Sequence, residues 1–178
     1  MHITHSATPY LQPMLGPISP EEFRLLTCHY LDRELFTRLD DLYYPKDLLH
    51  TPQQRATCLS SQIPAGHILV GATALWVHTG IGEPQLRTGK RAHTPRLHPA
   101  ETMSIGGQRI AKLRRAVLDE ARLADPVQAV RAVIIGKEHG VSHTDLYLSL
   151  GYCRGHNGFG RQRAEHIIRS VYADSVPG

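Results

Sequence analysis

The chain has little cysteine and nothing long and apolar. Three cysteines, Cys28, Cys58 and Cys153, stand among 178 residues without a C-x-x-C pair; this excludes a disulfide framework and predicts reduced, buried thiols in a cytoplasmic protein. No run of about 18 apolar residues occurs, which excludes a membrane-spanning helix. Met1 is not followed by the basic stretch and apolar run of a secretory signal. The twelve histidines are scattered. His93 and His98 flank a proline, and the helix-stopping Gly140 separates His139 from His143, so no i, i+4 ligand pair forms. Acidic residues come as neighbours, Asp40-Asp41 and Asp119-Glu120, without the alternating carboxylates expected of a nucleotidyltransferase. Neighbours on a helix also point to different faces, which does not make an acid-base pair. These absences predict a chain that is not an enzyme and that carries no metal and no small-molecule cofactor.

What is present suits one ordinary core. The chain is 41% hydrophobic and 20% charged, enough for a single domain with a short N-terminal extension. Charge is distributed unevenly: residues 1–85 carry five Lys/Arg against eight Asp/Glu, and residues 86–178 carry fifteen against eight. A half at −3 thus precedes one at +7, which points to nucleic acid or an acidic protein as a partner for the second half. Residues 1–18, with His2, His5, Pro9, Pro13, Gly16 and Pro17, lack periodicity and are expected to form a loose arm.

Local signals predict an α+β fold: a small sheet or hairpins packed with several amphipathic helices, the C-terminal half mainly helical. Ser19-Pro20-Glu21-Glu22 starts a helix, with Phe23, Leu26 and Tyr30 on one face and a fade near Asp32. Leu42-Tyr43-Tyr44 reads as a strand stopped by Pro45. Thr51-Pro52-Gln53-Gln54 opens a helix to about Gln62 with Ala56 and Leu59 inward. His67 to Val70 has strand length, and Gly71 to His78, carrying Trp76, has almost no polar face and should be buried. A long loop over 80–100 is expected to hold a short strand around Gln85 to Thr88, and Thr102 to Ile110 to form a hairpin about Gly106-Gly107.

The periodicity then becomes cleaner. Ile110, Leu113, Val117, Ala121 and Ala124 form one stripe, leaving Lys112, Arg114, Arg115, Asp119 and Arg122 toward water or a ligand, with Asp119 spaced to pair with Arg115 or Arg122. Asp125-Pro126-Val127-Gln128 starts a second helix, expected to use Val130, Val133 and Ile134 for its core stripe and to stop at Gly140. Ser142 to Asp145 begins a third, with Leu146 and Leu150 inward. A last one places Ala164, Ile167, Ile168 and Val171 opposite Arg161, Arg163 and Arg169. Before it, Gly155-His156-Asn157-Gly158-Phe159-Gly160 is a glycine-rich loop suited to cradling phosphate, with Arg161 and Arg163 as clamps. The same glycines also suit a plain interhelix connection.

Gly107-Gln108-Arg109-Ile110, Arg115 to Arg122, Ala129 to Gly140, Leu146 to Leu150, and Arg154-Gly155-His156-Asn157-Gly158 with Arg161 and Ala164 resemble the core domain of AbiEi-type antitoxins of type IV toxin-antitoxin systems. Val70 to His78 looks like that family's Ser/His-Ala-Ala-x-x-His-Gly segment, and the likeness covers roughly residues 40–173. Ala116 stands where the family carries threonine, and His156-Asn157 where it carries an arginine pair. The resemblance implies a transcriptional regulator with an arm over 1–18, a remnant of the family's winged-helix region over 19–45 and a core domain over 46–174. An endonuclease-like domain found in many members would begin where this chain ends.

On this reading the protein binds DNA or a cognate toxin through a basic surface of Arg109, Lys112, Arg114, Arg115, Arg161 and Arg163, each contacting phosphate without reading bases. Two alternatives stand beside it: a degenerate nuclease or nucleotidyltransferase relative, and a purely protein-binding accessory domain. Arginines gathered on one face favour nucleic acid; dispersed ones favour a protein partner.

Overall fold

The computed structural model describes residues 17–26, 35–39, 41–86, 93–94, 96–153 and 159–173. Most of the expected N-terminal arm, Cys28, Tyr30, the expected fade of the first helix near Asp32, and the Gly155–Gly158 part of the glycine-rich loop lie outside those residues. The fold is α+β, with two small sheets and a C-terminal half that is mainly helical. The chain divides into two compact units, Met1–Leu48 and Leu49–Gly178.

In the first unit, helix α1 spans Pro20–Leu26. The Ser19 amide donates to Glu22 Oε2 at 2.8 Å and the Glu22 amide to Ser19 Oγ at 3.2 Å, so two otherwise unpaired N–H groups are satisfied. Strands β1 (Phe36–Leu39) and β2 (Leu42–Pro45) pair antiparallel. Phe23 projects from α1 and stacks on Tyr43 of β2 with ring centroids 3.8 Å apart.

The second unit is built on a four-stranded sheet in the order β4-β3-β6-β5. Its strands are β3 (Ile68–Leu69), β4 (His93–Thr94), β5 (Thr102–Ile105) and β6 (Gln108–Ala111). β3 runs parallel to β6, with Leu69 beside Ile110, and antiparallel to β4. Gly106 and Gly107 make the β5–β6 turn with φ of 55° and 78°, a conformation that L side chains resist. The short strand expected from Gln85 is not formed at Gln85 or Leu86; the edge strand lies at His93–Thr94 instead.

Helix α2 (Pro52–Leu59) has the capping box that Thr51 and Gln54 announce. Helix α3 (Gly71–Thr79) buries Ala74, Leu75, Trp76 and Val77 and ends at Gly80, φ 73°. Its last carbonyls are met by Arg55 of α2. The buried Arg55 guanidinium donates to Val77 O (2.9 Å), His78 O (3.3 Å), Leu49 O (2.7 Å) and His50 O (2.9 Å). A cation at the negative end of the helix dipole thus also satisfies carbonyls that no helical N–H can reach.

Helix α4 (Leu113–Leu123) is the centre of this unit, packed against α3, α5 (Pro126–Glu138), α6 (His143–Gly151) and α7 (Arg161–Ala173). Ala116, Val117, Leu118 and Ala121 are completely buried there, as are Leu146 and Leu150 of α6 and Ile168 of α7. Each large apolar side chain so enclosed contributes about 2 kcal/mol relative to exposure. α5 starts as its sequence implies, with Asp125 Oδ1 accepting from the amides of Val127 and Gln128. α6 has a Ser142/Asp145 capping box.

The inward face of α5 is not the one that its bulky residues suggest. Val133 is buried, but Val130 and Ile134 are 39% and 41% exposed, and the helix instead buries Ala129, Ala132, Ile135 and Gly136. The reason is close approach. A Cβ on Gly136 would stand 2.7 Å from Val117 Cγ2, so α5 sits on α4 through small residues and its larger side chains turn outward.

Candidate anion-binding cleft

Six cations were expected on one basic surface; the structure places them in different settings. Arg109, on β6, is exposed, and Lys112, just before α4, is half-buried. Arg114 donates from Nη2 (2.8 Å) and Nε (3.2 Å) to Oε1 of the wholly buried Glu101, and its Nη1 lies 4.0 Å from Asp145. Arg161, at the start of α7, donates to Glu165 Oε1 at 2.9 Å and to Leu150 O at 3.3 Å. Arg163 is half-buried, and its Nη2 is buried without a hydrogen-bond partner among the described residues. Arg115 is not on the surface at all: its side chain is 7% exposed.

Of the α4 stripe expected to face water or a ligand, Arg115, Asp119 and Arg122 do not face water: all three are buried on a cavity wall. Their i, i+4 and i, i+3 spacing does join them. Arg115 Nε donates to Asp119 Oδ2 at 2.9 Å, and Arg122 Nη1 to Asp119 Oδ1 at 3.2 Å. Arg122 also donates from Nε to Phe159 O at 3.0 Å and from Nη1 to the Cys153 sulfur at 3.3 Å. Burial pushes the Asp119 carboxyl above the usual range, with Arg115 and Arg122 pulling against it. Burial would lower the Arg115 guanidinium, but attraction to and the hydrogen bond with Asp119, together with Cys153 and Glu101, outweigh it and raise the group, which stays charged.

This network forms one wall of a cavity of about 840 Å³. Val70, Gly71 and Ala72 at the start of α3 line it, as do Arg115, Asp119 and Arg122 of α4, Gln128 and Arg131 of α5, Arg96 and Phe159. Three features bear on its chemistry. Arg115 spends only Nε on Asp119, and its two Nη nitrogens have no acceptor among the described residues. Among the described residues no side chain caps α3, whose N-cap is Val70, so its first amides lack the acceptor that a Ser or Asp there would supply. Finally, Phe159 is 76% exposed. Its backbone is pinned by Arg122 and by Gly160, φ 73°, which sits so close to α4 that a Cβ would lie 2.3 Å from Arg122 O.

The acids on the same walls set a limit. Asp119 is engaged by two arginines and Asp125 by the amides of α5, while Glu83 and Glu120 also line the cavity. The arrangement therefore suits a single oxyanion: a planar donor fork and uncapped amides are the groups that recognise phosphate or carboxylate.

The cleft was missed in sequence because its members come from five separate segments. The signal within reach was Asp119 with cations at i−4 and i+3. The remaining expectations fare differently. The expected phosphate-cradling loop is described only at Phe159 and Gly160. Cys153 is buried and Cys58 half-buried; burial pushes the Cys58 thiol up to about 12 and raises that of Cys153, so both are poor nucleophiles. Among the described residues no group of three or more His, Cys, Asp or Glu is placed to hold a metal, and no helix is long and apolar enough to cross a membrane.

No family model, curated protein or solved structure matches the chain.

Proposed function

We propose that the protein is a non-enzymatic binding module, regulatory in kind, that captures an oxyanion group of its partner in the cleft beside Arg115. One observation carries this reading: a guanidinium with a 7% exposed side chain on a cavity wall, both of whose Nη groups lack acceptors among the described residues. Those Nη groups remain available to donate to a ligand in the cavity, and charge-assisted hydrogen bonds of that kind contribute roughly 1.5–3 kcal/mol each.

Thermal unfolding in phosphate against chloride at matched ionic strength tests the reading. Saturable stabilisation by phosphate, abolished in Arg115→Gln, is the expected result. Equal melting in the two salts rejects it.

The AbiEi-like reading, DNA or toxin binding through a basic surface, is kept as a second proposal because Arg109 and Arg161 are exposed and Lys112 is half-exposed. It requires duplex binding that weakens steeply between two salt concentrations. A flat response removes the DNA form of that proposal.

A further inference from the structure

We infer that the cleft takes a nucleoside monophosphate group, with phosphate on Arg115 and the base on Phe159. This rests on the reading of the cleft as an anion site and adds to it the class of ligand.

Phe159 supplies the first argument. A large aromatic side chain that is 76% exposed, on the rim of a polar cavity, forgoes burial that it would otherwise seek. It is also held: Arg122 Nε binds its carbonyl at 3.0 Å, and the following Gly160 adopts φ 73° against the α4 backbone. Arg122, through Asp119, is tied in turn to Arg115. The backbone that carries the aromatic ring and the anion-binding fork are therefore joined by one hydrogen-bonded chain, Arg115–Asp119–Arg122–Phe159 O. An aromatic side chain on the rim of a site with charged donors is an arrangement by which proteins hold nucleotides, stacking the base while the donors take the phosphate.

Charge supplies the second. Arg96, Arg115, Arg122 and Arg131 line the cavity together with Glu83, Asp119, Glu120 and Asp125, four cations against four carboxylates. Walls so balanced carry no excess positive charge for a triphosphate, whereas a single phosphate can be taken by the Nη groups of Arg115. Size agrees, since about 840 Å³ lies within the range of small-molecule sites. Gln128 on the wall offers an amide able to donate to and accept from a base or ribose. The monophosphate can be a free nucleotide or the phosphorylated 5′ end of a strand, and the cleft's chemistry is the same for both.

Calorimetric titration of the full chain with inorganic phosphate, adenosine, adenosine 5′-monophosphate and a short oligoadenylate with and without a 5′-phosphate tests the inference. The monophosphate should bind about tenfold or more tightly than inorganic phosphate. Phe159→Ala, a change at an exposed side chain, should remove that gain and leave phosphate binding unchanged. Arg115→Gln, which removes the fork while Asp119 keeps its pair with Arg122, should abolish both. Tighter binding of the phosphorylated strand than of the nucleotide assigns the group to a nucleic-acid end; the reverse order assigns it to a free nucleotide. Phosphate binding with no gain for the nucleotide, or a gain that survives Phe159→Ala, overturns the inference and leaves the anion site standing. Failure of phosphate and nucleotide alike overturns both.

Discussion

Gly136 of α5 and Val117 of α4 meet so closely that a Cβ at position 136 would lie 2.7 Å from Val117 Cγ2 and 3.1 Å from Cγ1. Val117 is completely buried and, being β-branched, has little freedom to turn aside. Gly136→Ala should therefore destabilise the protein by about 1–2 kcal/mol, the overpacking cost outweighing the roughly 1 kcal/mol helix-propensity gain of alanine. Adding Val117→Ala should recover part of the loss. Denaturant unfolding of the two single variants and the double checks this, with a favourable interaction energy between the sites as the expected outcome.

Gly160→Ala tests the contact that pins Phe159. The obstacle here is the Arg122 carbonyl, 2.3 Å from the new Cβ, and φ is 73°. Backbone cannot yield as a side-chain tip does, so a loss of about 2–4 kcal/mol is expected in equilibrium unfolding.

Arg55→Met should cost about 3 kcal/mol, because the shape is roughly kept while carbonyls of Leu49, His50, Val77 and His78 lose their donor. Arg38→Gln, by contrast, breaks a 3.8 Å pair with Asp41 whose side chains are 60% and 63% exposed. Its effect should stay below about 0.5 kcal/mol. Similar losses in the two variants would contradict the role given to Arg55.

A pH dependence follows from His78. Burial, opposed by a 2.8 Å hydrogen bond to Ala111 O, holds its imidazole below the ordinary value of 6.5. The neutral ring donates from Nε2 to that carbonyl. Because the unfolded chain takes up this proton first, stability present above pH 6.5 should decline as pH falls below it and through the lower folded value. In His78→Gln the decline below pH 6.5 should be shallower. Parallel stability curves for the two proteins would contradict this assignment.

The parts of the fold that were legible share one property: their chemistry is local. Thr51 with Gln54, Asp125 with Pro126, Ser142 with Asp145, and the Gly106-Gly107 turn each announce an element end within four residues, and each appears where its signal lies. Illegible features depend on distant partners. The outward turn of Val130 and Ile134 reflects how closely Gly136 lets α5 approach α4, which apolar periodicity does not encode. Arg115 and Arg122 read as solvent-facing because charge usually is. Their burial depends on Asp119 nearby but also on Cys153 and the Phe159 carbonyl, 31 and 37 residues from Arg122. The pairing of β3 with His93–Thr94 likewise joins segments with no shared local pattern.

The anion site is tested most directly by the nitrogen resonances of the Arg115 side chain, assigned by loss in Arg115→Lys and followed during titration with inorganic phosphate. The account predicts that the Nη signals shift saturably, and by more than those of the Glu101-bound Arg114. Arg115 Nη signals unmoved while phosphate reaches saturating millimolar levels would contradict it.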